Sequence, residues 1–427
     1  MSLLNAMYTG VSGLDAESDA LSVIGNNVSN TNTVGFKESR AIFESVMGST
    51  DPSPNAVGSG VRMTQAQQLF TEGTLQNTGV STDLALSGDG FFVVSGAAGG
   101  TNGTFYTRAG QTSLNAGGTL VNPDGLDVQG YTMLPSGQLS TQLGNITLQT
   151  AALPPLATTT MTVTANLDAN AAPPALPWAA QNPAATSNFS TAMSVYDSLG
   201  NAHNVDVYFV NTGPGAWSYH MLANGSEVTG GTAGQNSDIG DGTLTFSSNG
   251  ALQSDTPTGG AVTFNGATAQ TIALNLGTSI AAGGTGLNGV TQFGGASNVT
   301  AQNQNGYASG ALSGVQIGQD GTVSGVYTNG QTIAVAQLAI AKFNDNDGLQ
   351  NIGQNLWAST VTSGDPALGA AGSGGRGAIV SGSLEQSNVD ISSQFVDLIA
   401  HQQGFQANSK TIQTADQMLQ DLMQIQT

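Results

Sequence analysis

Three histidines, His203, His220 and His401, are the whole imidazole inventory of this 427-residue chain. Imidazole is the side chain best suited to proton transfer and metal ligation near neutral pH, so their spacing decides whether such chemistry is encoded. None has a partner at HxH or HxxxH spacing, which would bring two rings to one face of a strand or helix. A lone histidine reads as solvated or core. With no cysteine in the chain, disulfides, thiolate nucleophiles and Cys-ligated zinc are excluded. No GxSxG elbow occurs, nor the Gly-Lys pair of a phosphate loop. "GTGLNG" (Gly284 to Gly289) matches GxGxxG but lacks a strand–turn–helix setting in a glycine-rich region. "DNDG" (Asp345 to Gly348) opens like a calcium loop but lacks the distal bidentate glutamate, and reads as a turn. The residues thus name no catalytic, cofactor-binding or metal site, and the expectation is a protein that is not an enzyme.

Composition moves the question from chemistry to architecture. Charged residues make up 8% of the chain, against roughly 25% in ordinary globular proteins. Apolar residues make up 39%, enough for real cores, and 59 glycines favour β-rich domains with many tight turns. The length suggests two or three domains. The net charge of −20 reflects scarce cations: Lys37, Arg40, Arg62, Arg108, Lys342, Arg376 and Lys410 are all there are. Such a surface repels phosphate and anionic lipid, so neither nucleic acid nor a membrane is an expected partner. No apolar run is long enough to span a bilayer. The start, "MSLLNAMYTGVSGLDAES", has no basic region before an apolar run and does not read as a Sec signal. Yet the acidic, cysteine-free, Gly/Thr/Asn-rich style is that of secreted surface proteins. The combination points to the cytosol, or to an export route that reads no cleaved signal.

The two ends of the chain share a pattern that the middle lacks. Leu4, Met7, Val11, Leu14, Leu21 and Val28 fall on alternating steps of three and four, with Ser18 and Gly25 at the gaps. That spacing predicts an a/d stripe on a helix of roughly 25 residues. Ile391, Phe395, Leu398, Phe405, Ile412, Leu419 and Met423 repeat it at the other end, interrupted by Gln402, Ser409 and Asp416. Asn388 or Asp390 is placed to cap the second helix. Neither helix can bury its own stripe. Two arrangements would do so: packing on the globular body, or pairing with each other and with other subunits as a coiled coil. The near-3.5 spacing and the placement at both termini favour the second. The first helix runs into "NNVSNTNTVGFK", where Asn26, Asn27 and Asn30 can satisfy its last carbonyls. Gly35 suits a positive φ that ends the helix, and Phe36 can anchor the departing chain.

Between the ends the pattern is strand and turn. "TDLALSGDGFFVVSG" and the segment after it read as short strands between Gly-Asp-Gly, Asn-Ala-Gly-Gly and Pro-Asp-Gly turns. "VQIGQDGTVSGVYTNGQTIAVAQLAIAKF" reads as further hairpins ending in a long strand from Thr332 to Phe343. The expected class is mainly β: two β domains in series, the second inserted in the first, plus a coiled-coil pair of N- and C-terminal α-helices. The expected boundaries are 1–35 and 388–427 for the helical pair, 36–71 for a connecting segment, 72–150 with 310–387 for a discontinuous β domain, and 151–309 for the inserted one. In the connecting segment, "ESVMGSTDPSPNAVGSGV" shows no clear period.

Three pieces in order, "GNNVSNTNTVGFK", "LALSGDGFFVV" and "ANSKTIQTADQMLQDL", resemble the flagellar rod/hook family of axial proteins. "VYDSLGNAHNVDVYF" and "GTVSGVYTNGQTIAVAQLAIAKFNDNDGL" narrow the resemblance to its hook members. It covers both ends and the discontinuous β domain, and residues 210–310 only loosely. The resemblance implies a subunit of a flexible tube that joins rod to filament and transmits torque. It implies terminal helices that line a channel, passage through the flagellar export apparatus without a cleaved signal, and residence in the hook. The implied partners are copies of the chain itself and the distal rod, hook cap and hook–filament junction proteins, with no cofactor. Leu4, Met7, Val11, Leu14, Leu21, Leu398, Phe405, Ile412 and Leu419 are expected to bury apolar surface only on assembly. Asn26, Asn27, Gly35, Phe36 and Phe395 are expected to contribute at the same interfaces. A distal-rod or other axial protein, or an adhesin-like secreted β protein, is the alternative.

Overall fold

The computed structural model describes residues 3–47, 58–134, 136–148 and 152–425, excepting the side chains of Leu3, Leu4, Leu422 and Ile425. The chain is mainly β, with one helix near each end, Leu3–Ser29 and Ile391–Ile425. It divides into two compact units. One comprises Met1–Thr150, Gly314–Val326 and Thr332–Thr427, and the other Ala151–Ser313 with Tyr327–Gln331.

In the first unit the two helices pack along each other. The segment with no readable period holds an antiparallel strand pair, Ser39–Met47 against Gly58–Gln68, paired from Ser39 with Gln68, and residues 48–57 between the strands lie outside the described residues. Its strands are mostly half-exposed, which is why hydropathy alternation does not reveal them. The strand pair lies on the N-terminal helix, where Val61 N–H donates to the Ser12 hydroxyl at 3.3 Å.

The β part of this unit interleaves two distant stretches. Its main sheet includes, in order, Thr322–Tyr327, Thr332–Leu338, Asp127–Met133, Phe91–Ala98, Thr101–Thr107, Leu356–Ala358 and Gln350–Gly353. The strand expected from Thr332 to Phe343 is broken at Ala339. Its second piece, Ile340–Lys342, turns to pair with Phe91 and Phe92. Two short ladders tie the sheet's flanks to the C-terminal stretch: Leu84–Ser87 with Ala378–Ser381, and Leu75–Asn77 with Ser383–Glu385. The core is aromatic, with Phe91, Tyr106, Phe343 and Trp357 buried together and Phe70 edge-on to Phe91 at 5.5 Å.

The second unit is a five-stranded antiparallel meander, Phe189–Tyr196, Ala202–Gly213, Ala216–Asn224, Asn236–Phe246, Leu252–Pro257. A four-stranded sheet centred on Thr160–Asp168 contributes to the same core, in which Val163, Leu167, Val205, Phe209, Trp217 and Phe264 are buried. Alternation along Ala202–Gly213 puts Val205, Val207 and Phe209 inward, as period-two strands require. The turn in "VYDSLGNAHNVDVYF" is held by buried Asp197, which accepts from Leu199 N–H at 2.8 Å and Asn201 N–H at 2.9 Å. His203 lies against Asp197 and Glu227 and stacks on Phe264 at 3.8 Å, a satisfied structural histidine.

Candidate functional site

The helix pair meets along a seam of small and polar side chains rather than its large apolar ones. On the N-terminal helix the buried positions are Gly10, Gly13, Ala16, Ala20, Ile24 and Asn27, at steps of three and four. On the C-terminal helix, Gln394 and Ala415 are buried and Leu398, His401, Gly404, Asn408, Ile412 and Leu419 half-buried. Removing the β-carbon lets two backbones approach closely. A β-carbon on Gly10 would come within 2.8 Å of Ile412, and one on Gly13 within 2.6 Å of the Asn408 amide. Midway, the His401 ring nitrogen Nδ1 meets Glu17 Oε2 at 2.5 Å. Asp390 caps the C-terminal helix, accepting from Ser392 N–H at 2.7 Å, and Asn388 is used elsewhere.

The residues expected at assembly surfaces distribute as follows. Met7, Leu14 and Leu21 are half-buried and Val11 is exposed, while the Leu4 side chain lies outside the described residues. Leu398, Ile412 and Leu419 edge the seam, and Phe395 and Phe405 face outward. Tyr8, Val396, Ile399, Met418 and Met423 are exposed beside them. The pair thus carries a large apolar surface that its own packing leaves uncovered.

Asn26 is exposed, whereas Asn27, Gly35 and Phe36 are buried where the first helix gives way to the strand pair. Asn30 satisfies the helix end, its amide donating to the Asn26 carbonyl at 2.9 Å. Gly35 has φ of +71°, and a β-carbon there would meet Ala109 N at 2.5 Å. The Asn27 side chain, expected to satisfy the helix's last carbonyls, bonds elsewhere. Its amide donates to Ser39 O at 2.7 Å and Gln394 Oε1 at 3.0 Å, and its oxygen accepts from Ser39 N–H, so one side chain joins both helices to the strand pair. Asn388 answers from the other side, accepting from Glu38 N–H at 2.7 Å and donating to Leu69 O and to the Thr71 hydroxyl.

Beneath this knot lies an ionic cluster that motif spacing does not reveal. Lys37 Nζ contacts Glu385 Oε1 at 2.5 Å, with both side chains fully buried. Arg108 approaches the other carboxylate oxygen at 3.4 Å, and its guanidinium lies 5.4 Å from the Phe91 ring centroid. Lys37 also donates to Thr71 O at 2.7 Å. Burial pushes the Lys37 ammonium below the ordinary lysine range, opposed by the Glu385 carboxylate. In a chain with seven cations, two committed to one buried carboxylate are a signal of structural cost. The available hint is Lys37, which closes the quoted "NNVSNTNTVGFK".

The other two motif matches lie in a turn and a loop. Asp345 and Asp347 form a local turn, with Asp347 N–H on Asp345 Oδ1. Residues 284–289 are loop. Among the described residues no helix is long and apolar enough to cross a membrane.

Paired terminal helices fastened to a β body are the plan of the flagellar axial proteins, and the chain matches that class in order. "Flagella basal body rod protein" matches residues 7–37, "Flagellar hook protein FlgE/F/G D1 domain" 85–166, "Flagellar basal body protein FlaE D2 domain" 166–307, and "Flagellar basal body rod FlgEFG protein C-terminal" 380–425. The flagellar hook protein FlgE of Salmonella typhimurium is 38% identical over 423 residues, covering 97% of this chain and 98% of its own. That of Escherichia coli is 37% identical over 427 residues, covering 98% and 100%. That of Treponema pallidum is 33% identical, covering 99% and 100%. The crystal structure of the Helicobacter pylori flagellar hook protein FlgE2 shares the fold, with TM-score 0.51 at 15% identity over 71% of this chain and 98% of that one. The chain belongs to the flagellar hook protein FlgE family, and it is a structural subunit of the flagellar hook.

Proposed function

We propose that the chain polymerises with copies of itself into a flexible tube that transmits motor torque from rod to filament. The observation that carries this reading is the mismatch within the helix pair: its seam combines glycines, alanines and amides with Ile24 and half-buried Leu398, Ile412 and Leu419, while Val11, Phe395, Val396, Ile399, Phe405, Met418 and Met423 stand exposed. Burying each such side chain yields roughly 1.5–3 kcal/mol, enough over several subunits to drive assembly. The terminal helices, 1–35 and 388–427, are the assembly elements in this proposal. The connecting segment 36–71 transmits load to the β domains, 72–150 with 310–387, and 151–309. The low charge, 8% of residues, lets neighbouring β surfaces slide on interchangeable hydrogen bonds rather than locked ion pairs. The distal rod, hook cap and hook–filament junction proteins are the end partners, and the flagellar export apparatus delivers the chain without a cleaved signal.

The test is deletion of 1–29 and 391–427, which leaves Lys37, Arg108 and Glu385 in place. The expected product is a folded β monomer that stays monomeric where the full chain forms tubes in electron micrographs. Tubes from the deleted chain would overturn the reading.

A further inference from the structure

The second unit holds a histidine unlike the other two. His203 has both ring nitrogens against carboxylates, at 2.7 and 3.3 Å, and His401 is bound to Glu17. His220 Nδ1 is sealed from solvent without a hydrogen-bond partner. An orphaned nitrogen of this kind costs free energy unless something is bound to it.

What faces it is a pair of carboxylates. His220 and Asp241 are opposite each other in the ladder between Ala216–Asn224 and Asn236–Phe246, and a bulge nearby brings Asp238 to the same place. The Asp238 Oδ2 atom lies 3.9 Å from His220 Nδ1, too far for a hydrogen bond. One ligand atom from each of the three residues lies within 4.8 Å of the others. Asp238 Oδ1 is already occupied by Gly240 N–H at 3.1 Å, leaving Oδ2 free to turn inward.

The ring is also held in place. Trp178, from a Pro/Ala-rich stretch of residues 170–188, stacks on His220 with centroids 4.2 Å apart and planes 8° from parallel. That stretch is laced to the sheet edge by Gln181 and Asn236, which exchange two hydrogen bonds at 2.8 and 2.9 Å. Asn236 adds a third, to the Ala180 carbonyl.

We propose that His220, Asp238 and Asp241 form a binding site for a first-row divalent cation, of which Zn²⁺ is the representative. An imidazole nitrogen with two carboxylate oxygens suits zinc, nickel and copper rather than magnesium or calcium. Metal–ligand distances of about 2.0–2.2 Å put tetrahedral ligand atoms about 3.4 Å apart, so the carboxylates close by about 1 Å through side-chain rotation. Three protein ligands leave one position for water. Bound metal fixes the imidazole on which Trp178 stacks and so ties the 170–188 stretch to the sheet.

Calorimetric titration of the full chain with ZnCl₂ tests this. The expected result is one equivalent bound, with affinity falling at least tenfold in His220→Gln and in Asp241→Asn and unchanged in His203→Gln. Tenfold excess MgCl₂ is expected not to compete. Cu²⁺ provides a second readout that does not depend on the variants' folding: it quenches Trp178 emission in the wild-type chain, and Trp178→Phe removes that component while metal is still bound. Absence of a stoichiometric binding event, equal affinity in His220→Gln, or loss on changing His203 instead would overturn the proposal.

Discussion

Asn408 lies so close across Gly13 that a β-carbon on the glycine would fall 2.6 Å from its amide nitrogen. The Asn408 side chain therefore packs directly on the Gly13 backbone, in the space a β-carbon would take.

Gly13→Ala tests that contact against an internal control. Alanine gains up to about 1 kcal/mol of helix propensity over glycine, while forcing atoms into a packed contact costs about 1–3 kcal/mol. Gly25, in the same helix, has open space where its β-carbon would be. Thermal melts followed by helical circular dichroism are expected to show Gly25→Ala raised and Gly13→Ala lowered. Asn408→Ala is expected to restore part of the second loss.

The ionic cluster makes an asymmetric prediction. Glu385 serves both Lys37 and Arg108, so Glu385→Gln leaves two buried cations without an anion. Lys37→Met leaves Glu385 paired with Arg108. Denaturant titration is expected to show Glu385→Gln destabilised by roughly 3–5 kcal/mol, and Lys37→Met by clearly less.

Outward-facing aromatics separate folding from assembly. Phe395 is 51% exposed, so Phe395→Ser is expected to change monomer stability by less than about 0.5 kcal/mol. Losing its burial in a polymer, roughly 1.5–3 kcal/mol, raises the critical concentration for assembly about tenfold to a hundredfold. Sedimentation of polymer over a concentration series reads this directly.

Asp255 supplies a pH-dependent prediction. Its Oδ1 is buried without a partner, and burial raises its carboxyl above the ordinary 3.8. Because the folded form prefers the protonated acid, the stability this group contributes is full below pH 3.8 and is lost as pH rises through the folded pKa. Asp255→Asn is expected to stabilise the second unit by about 1 kcal/mol at neutral pH. That gain should vanish in melts below pH 3.8.

The architecture is legible where hydropathy has a period. The stripes through Leu14 and Leu398 mark two helices, and alternation at Val205, Val207 and Phe209 marks a strand. What stays hidden uses residues that hydropathy does not count. The seam of the N-terminal helix runs through Gly10, Gly13 and Ala16, which carry too little apolar surface to register. Steps of three and four among small residues were the available sign. The strand pair of 39–47 and 58–68 is hidden because its residues are mostly half-exposed. Lys37 and Glu385 are hidden because a charge in a sequence reads as surface unless its partner is known.

That partner arrives late. Glu385 follows Lys37 by 348 residues and Arg108 by 277. A chain synthesised from its N-terminus holds both cations without their anion until residue 385 is made. The strands of 75–77 and 84–87 likewise wait for 378–385. Closure of the first unit is thereby tied to the arrival of residues 378–385: a fragment cut short before residue 385 has the sheet's residues but not its clasp.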